Sequence, residues 1–266
     1  MSALRLTDAV CIVTGASSGI GAATARRLGE AGAIVVLAAR RAERLERLAA
    51  ELPRALAVPT DVTAPGHLER LIEATLTAYG RIDVLVNDAG QGLHVPLLEL
   101  DPQDLRAVYE LNVVAPLRAM QCVFPTMRTH GTGAIVNVSS ATSLRVFPGL
   151  GGYSSTKAAL NMLAQVARLE FAEAGVGVSL VYPSVTATEF HQRLRAGSFA
   201  GGAHHIPVDP PELAARAIVF AITSGEAHVL VGDPPRAITP GADDAWGALL
   251  ARQAPRPDAG SDGTVT

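Results

Sequence analysis

The stretch Thr14-Gly15-Ala16-Ser17-Ser18-Gly19-Ile20-Gly21 leaves an apolar run at residues 9–14 and opens directly into a helical pattern. Its glycines are spaced GxxxGxG, which is neither the GxGxxG fingerprint nor a Walker loop, because no Gly-Lys-Ser/Thr ending follows. The physical logic is shared with both. Gly15 permits a tight turn, Gly19 lets the backbone approach an anion, and Gly21 allows a helix to pack closely on a strand. Free N–H groups at the helix start, with Ser17, Ser18 and Ile20 among them, then face that anion. Strand, glycine turn and helix in this order open a βα unit.

Outward from this turn, runs rich in Val, Ile and Leu recur at 9–14, 33–38, 55–60, 82–87, 134–139, 176–182 and 228–231. Between them, 21–31, 41–51, 65–79, 102–127, 153–174 and 211–223 read as helices. The strand runs are apolar on both sides, which suits a parallel sheet covered by helices on both faces. The expected fold is therefore α/β, a doubly wound Rossmann-type parallel sheet of about seven strands. Asp101-Pro102 supplies a helix cap and a first-turn proline, while Gly32, Gly80 and Gly175 supply left-handed stops. Residues 1–251 are expected to form one domain. Within it the irregular stretch 187–210 is read as a lid over the substrate, and the proline- and glycine-bearing tail 252–266 as flexible.

Composition narrows the function. With 22 basic against 25 acidic residues the net charge is −3, which lacks the basic surface that nucleic acid needs. No run of ~18 apolar residues suggests a membrane span, and no export signal precedes the first strand. Cys11 and Cys122 both read as small core residues, consistent with a cytoplasmic location.

The second strand ends Leu37-Ala38-Ala39-Arg40-Arg41. In dinucleotide folds a carboxylate there binds the ribose hydroxyls of NAD, whereas an arginine accommodates the 2′-phosphate of NADP. Ala39 offers no carboxylate, and Arg40 with Arg41 offers guanidinium groups, so NADP(H) is expected over NAD(H). The same arginines could instead begin a solvated helix that Arg44 and Arg47 continue. Further on, Tyr153-Ser154-Ser155-Thr156-Lys157 puts a phenol and an ammonium on one helical face. A nearby cation favours phenolate, so the pair reads as an acid/base with the tyrosine's pKa lowered. Ser140 ends a buried strand thirteen residues before Tyr153.

Taken in order, these motifs resemble the short-chain dehydrogenase/reductase family from residue 14 to about residue 232. The likeness includes the glycine turn, Asp61-Val62, Asn87-Asp88-Ala89-Gly90, Asn112, Ser140, Tyr153 with Lys157, and Pro183 followed by Thr186 and Thr188. The resemblance implies that Asp61, beside Val62, hydrogen-bonds the adenine. It puts Asn87, Ala89 and Gly90 along the adenosine ribose, and the turn from Pro183 through Thr186 to Thr188 at the nicotinamide carboxamide. Lys157 would grip the nicotinamide ribose. Tyr153 would exchange a proton with the substrate oxygen that Ser140 orients, and Asn112 would position a water beside Lys157. The implied activity is hydride transfer between NADP(H) and a ketone or secondary alcohol, by a homodimer or homotetramer built on helices 102–127 and 153–174.

Two positions depart from the family pattern. Asp88 stands where the family usually has asparagine, and Ser184 where it usually has glycine. Neither is one of the four catalytic positions. Leu144, Val146, Phe147, Leu150, Phe190 and Phe199 are expected to wall a largely apolar substrate pocket. His204-His205 lack the spacing and the companions of a zinc site, so no metal is expected. Two other function classes fit the fold: a nucleotide-binding regulatory protein, and a lyase or isomerase using the same acid/base without net redox change.

Overall fold

Residues of the first apolar run alternate between two cores. In β1 (Val10–Thr14), Cys11 and Val13 point into one cluster, while Val10 and Ile12 point into another. The first cluster is closed by Leu28 of α1 (Gly19–Glu30), Leu45 and Leu48 of α2 (Ala42–Glu51), and Ala214, Ala217 and Ile218 of α7 (Pro211–Ser224). The second is closed by Leu68 and Leu71 of α3 (His67–Tyr79), Met120 and Val123 of α5 (Ala115–His130), and Ala164 and Ala167 of α6 (Gly151–Phe171). A strand buried on both faces has no polar side to show, which is why these runs lack the alternation of a half-exposed strand.

A computed structural model describes residues 4–198 and 208–239. After β1 come β2 (Ile34–Ala39), β3 (Ala55–Pro59), β4 (Val84–Asn87), β5 (Gly133–Val138), β6 (Val176–Tyr182), β7 (His228–Leu230) and β8 (Arg236–Ala237). They form one eight-stranded sheet in the order β3-β2-β1-β4-β5-β6-β7-β8. All neighbouring pairs are parallel except β7 with β8. The order reverses between β1 and β4, and in such sheets ligands bind beyond the carboxyl ends of the strands at this crevice. The Gly15 turn, the residues after Asn87 and the serines after Val138 all lie at that edge.

The expected seven strands are present within one or two residues, and β8 is added as an exposed antiparallel edge. The helix expected at 102–127 is interrupted. α4 (Pro102–Tyr109), capped by the Asp101 carboxylate accepting from the Gln103 N–H at 2.7 Å, runs into a π turn, Glu110–Val114, before α5. The tail 252–266 and residues 199–207 of the expected lid lie outside the described residues. No helix among the described residues is long and apolar enough to cross a membrane.

Candidate active site

A cavity of about 1300 Å³ runs along the carboxyl ends of the strands, from the glycine turn to the loop after β6. At the turn, Gly15 has φ +71°, and a Cβ there would stand 2.9 Å from the Ala89 nitrogen. A Cβ at Gly21 would meet the Gly15 carbonyl oxygen at 2.6 Å, so this glycine serves the close packing of α1 on the Gly15 turn and does not line the cavity. Beside the turn lies a cradle of donors. Arg41 donates to Ser17 Oγ from Nε and Nη2 at 3.0 and 2.7 Å, and to Ser18 Oγ from Nη2 at 2.7 Å. Arg40 also lines the cavity but is exposed and lies near the Asp61 carboxylate. Of the two expected arginines, Arg41 therefore organises the cradle.

The opposite wall is made by the end of β5 and by α6. Ser140 caps the 3-10 turn Ala141–Leu144, and its Oγ accepts from the Thr142 N–H and hydroxyl at 3.2 and 3.0 Å. With its oxygen engaged in this way, its own proton is available to a neighbour, and it hydrogen-bonds with Tyr153. The Tyr153 ring is buried against Leu93 and Val108, with Phe190 5.6 Å away edge-on. Lys157 Nζ, also buried, donates to the Val138 carbonyl at 2.9 Å and lies 5.9 Å from the centre of the Tyr153 ring. Tyr153, Lys157 and Ser140 thus converge on one stretch of the cavity.

The electrostatics differ from the expectation for the tyrosine. Burial pushes the Tyr153 phenol above its ordinary value, only partly opposed by Ser140, and Asp88 adds to the rise. Lys157 is pushed down by burial, and Asp88 is pushed up by burial, each held back by the charge of the other. The cation that was expected to acidify the phenol is turned toward a carbonyl and balanced by a carboxylate, so it does not outweigh desolvation here.

A family model described as short chain dehydrogenase matches residues 9–198. The chain belongs to the short-chain dehydrogenase/reductase family. It is 32% identical over 230 residues to an uncharacterized oxidoreductase of Staphylococcus aureus strain MW2, covering 86% of this chain and 96% of the relative. Among solved structures, a 3-ketoacyl-(acyl-carrier-protein) reductase from Brucella melitensis complexed with NADH superposes with a TM-score of 0.77 at 27% identity, over 85% of this chain and 98% of that one. A metagenomic short-chain oxidoreductase in complex with NADP gives 0.72 at 31% identity, over 86% and 98%.

Within this short-chain dehydrogenase/reductase, several motif residues do other work than line the groove. Asn87 is buried and donates to Asn137 Oδ1 at 2.9 Å, so it ties β4 to β5 and does not reach the cavity, whereas Ala89 and Gly90 do. Asn112 sits in the π turn with both its amide oxygen and its amide nitrogen hydrogen-bonded. Its Oδ1 accepts from the Gln91 N–H at 3.0 Å, and its Nδ2 donates to the Gln91 carbonyl and to Thr156 Oγ1 at 2.9 and 3.1 Å. It therefore locks α4 and α5 to α6, and its side chain does not line the cavity. Asp61 and Val62 line the cavity, and the Asp61 carboxylate also accepts from the Thr63 N–H and hydroxyl at 3.0 and 2.7 Å.

Pro183, Thr186 and Thr188 line the cavity together with Ile20, Ser17, Ser18 and Gly19, and Thr188 packs on Gly19, where a Cβ would stand 2.9 Å from its Cγ2. Ser184, the departure from glycine, donates to Asp209 Oδ2 at 2.5 Å and so fastens the returning limb of the loop to this turn. The limb at 189–198 is stapled to the segment after β4: Gln91 Nε2 donates to the Arg193 carbonyl at 2.9 Å, and the Arg195 N–H to Gly92 at 2.8 Å.

The wall expected to face a substrate is less apolar than its sequence suggests. Phe147, Leu150 and Phe190 line it, but so do His94, His191 and Arg145. Val146 is 99% exposed, because the 3-10 turn after Ser140 swings it outward, and Leu144 packs into the core beneath. Phe199 lies outside the described residues, as do His204 and His205. No group of three or more metal-ligating side chains occurs among the described residues. Asn161 had no place in the sequence reading. It accepts from Ser139 Oγ at 2.6 Å and donates to Ser143 Oγ at 2.9 Å, holding the Ser140 turn against α6. Its only signal was spacing, four residues beyond Lys157 and eight beyond Tyr153 on one helical face.

Proposed function

We propose that the protein is an NADP(H)-dependent oxidoreductase interconverting a ketone and a secondary alcohol. The observation that carries this reading is the convergence of Ser140, Tyr153 and Lys157 on a cavity whose other end is the glycine turn and the Arg41–Ser17–Ser18 cradle. That donor set suits a nucleotide: hydroxyl and guanidinium donors for a phosphate, beside a glycine turn on which Thr188 packs closely because Gly19 carries no Cβ. When bound there, the nicotinamide nucleotide supplies or accepts the hydride.

The chain's own residues handle position and protons. In the reducing direction the Ser140 hydroxyl donates to the substrate carbonyl oxygen, and Tyr153 Oη transfers its proton to that oxygen as negative charge builds. A phenol held above its ordinary value by burial keeps its proton until then. Lys157, fixed by Val138, is placed to hold ribose hydroxyls and to return a proton to the phenolate. Phe147, Leu150 and Phe190 favour an apolar flank on the ketone. The outward stripe of Met162, Val166 and Leu169 on α6, 62%, 42% and 78% exposed, supports a homodimer or homotetramer. Light scattering on a chain of 27.5 kDa tests this, and a stable monomer contradicts it.

Replacing Tyr153 by Phe tests the mechanism. Turnover is expected to fall by about 10²–10⁴ while NADPH affinity stays nearly constant. Turnover equal to the wild type would contradict the assignment of the proton donor.

A further inference from the structure

The cradle beside the glycine turn already holds an anion of the protein's own. Arg41 Nη1 donates to Glu189 Oε2 at 2.8 Å, Arg44 Nη1 to Oε1 at 2.7 Å, and Arg193 Nε lies 3.2 Å from Oε2. Arg41 and Glu189 are 148 residues apart, so the pair bridges the start of α2 and the loop after β6. Among the described residues no second carboxylate lies within ion-pair distance of these three guanidinium groups, which leaves the cluster with excess positive charge. We infer that Glu189 is an internal competitor for the cofactor's 2′-phosphate, and that it sets the preference between NADP(H) and NAD(H).

Carboxylate and phosphate address the same donors, since both accept paired hydrogen bonds from guanidinium. A phosphomonoester brings about two negative charges and three oxygens to the cradle, against one charge and two oxygens from Glu189. It therefore displaces the carboxylate, whereas the bare ribose hydroxyl of NAD cannot. The Arg41 and Arg44 hydrogen bonds hold the Glu189 carboxyl well below the ordinary carboxylate range, so it competes as an anion throughout the neutral region. Its side chain is 33% exposed, and ion pairs so placed exchange readily. Glu189 also begins the 3-10 turn Glu189–Gln192, whose Phe190 ring lies 5.6 Å from that of Tyr153. Displacing the carboxylate thus frees the turn that packs on the catalytic phenol, linking the nucleotide's adenosine end to the substrate wall.

This inference rests on the nucleotide reading of the cavity, and binding titrations separate the two. The full chain is titrated with NADPH, NADH, 2′,5′-ADP and 5′-AMP, as wild type, Glu189→Gln and Glu189→Ala, with thermal melts confirming that each variant is folded. Both variants are expected to bind NADPH and 2′,5′-ADP about tenfold tighter while NADH and 5′-AMP change less than about twofold. Unchanged or weakened 2′,5′-ADP binding overturns the inference, as does equal tightening of NADH, which would mean general relief of negative charge. Failure of the wild type to bind either dinucleotide overturns the functional reading itself.

Discussion

At the end of β5, Ser140 and Lys157 are held by short hydrogen bonds beside the buried Tyr153 ring, and the Ser140 turn is tied through Ser143 and Asn161 into α6. Across the cavity, the stretch 189–198 is held by half-exposed ion pairs, Arg41–Glu189, Arg193–Glu189 and Arg195–Asp104. The first wall loses heavily if one partner is removed, because each orphaned group stays buried. The second loses little, because water and salt replace what is lost. Under the proposed function, the first wall is a preorganised surface for proton transfer and the second an exchangeable one that admits ligands.

Four substitutions test this contrast. Ser140→Ala removes the hydroxyl proposed to donate to the substrate oxygen, and kcat/KM is expected to fall by about 10²–10³ with little change in NADPH affinity. Asn161→Leu leaves Ser139 and Ser143 without their buried partner, which should cost about 1–3 kcal/mol in a denaturation curve. It should also lower kcat about tenfold with cofactor affinity intact, because Asn161 acts by positioning Ser140.

His94, at the junction of the two walls, gives the contrast a pH axis. Burial, with His191 nearby, lowers it to about 4, so the folded chain resists protonating it while the unfolded chain protonates it near 6.5. Its contribution to stability is present above 6.5 and is lost as pH falls toward 4. The Tm of His94→Gln should accordingly drop less than that of the wild type between pH 7 and pH 4. Last and smallest, Arg195→Ala breaks the 2.6 Å pair with Asp104, both partly exposed, and is expected to change stability by less than about 1 kcal/mol. A larger loss would show that the second wall is as preorganised as the first.

Much of the fold was legible because its strands are buried on both faces, so apolar runs and glycine stops marked them directly. β8 was not, since Arg236 and Ala237 are exposed and carry no pattern. The π turn at Glu110–Val114 was hidden too, because one extra residue rotates the following apolar face by about 100° while each flank keeps its own helical period. At the site, Ser140, Tyr153 and Lys157 were readable from local spacing. The roles of Asn87, Asn112 and Glu189 were not, because they depend on partners as distant as Asn137, Thr156 and Arg41. Val146 misled for a related reason: hydropathy reports what a side chain prefers, and the turn after Ser140 decided where it points.

The most direct measurement of the central claim follows the nicotinamide absorbance and the product together while the protein turns over NADPH with a panel of apolar-flanked ketones. NADPH is expected to disappear mole for mole with secondary alcohol formed. Bound NADPH that is never consumed across the panel, or substrate converted with no change in the nicotinamide band, would contradict it.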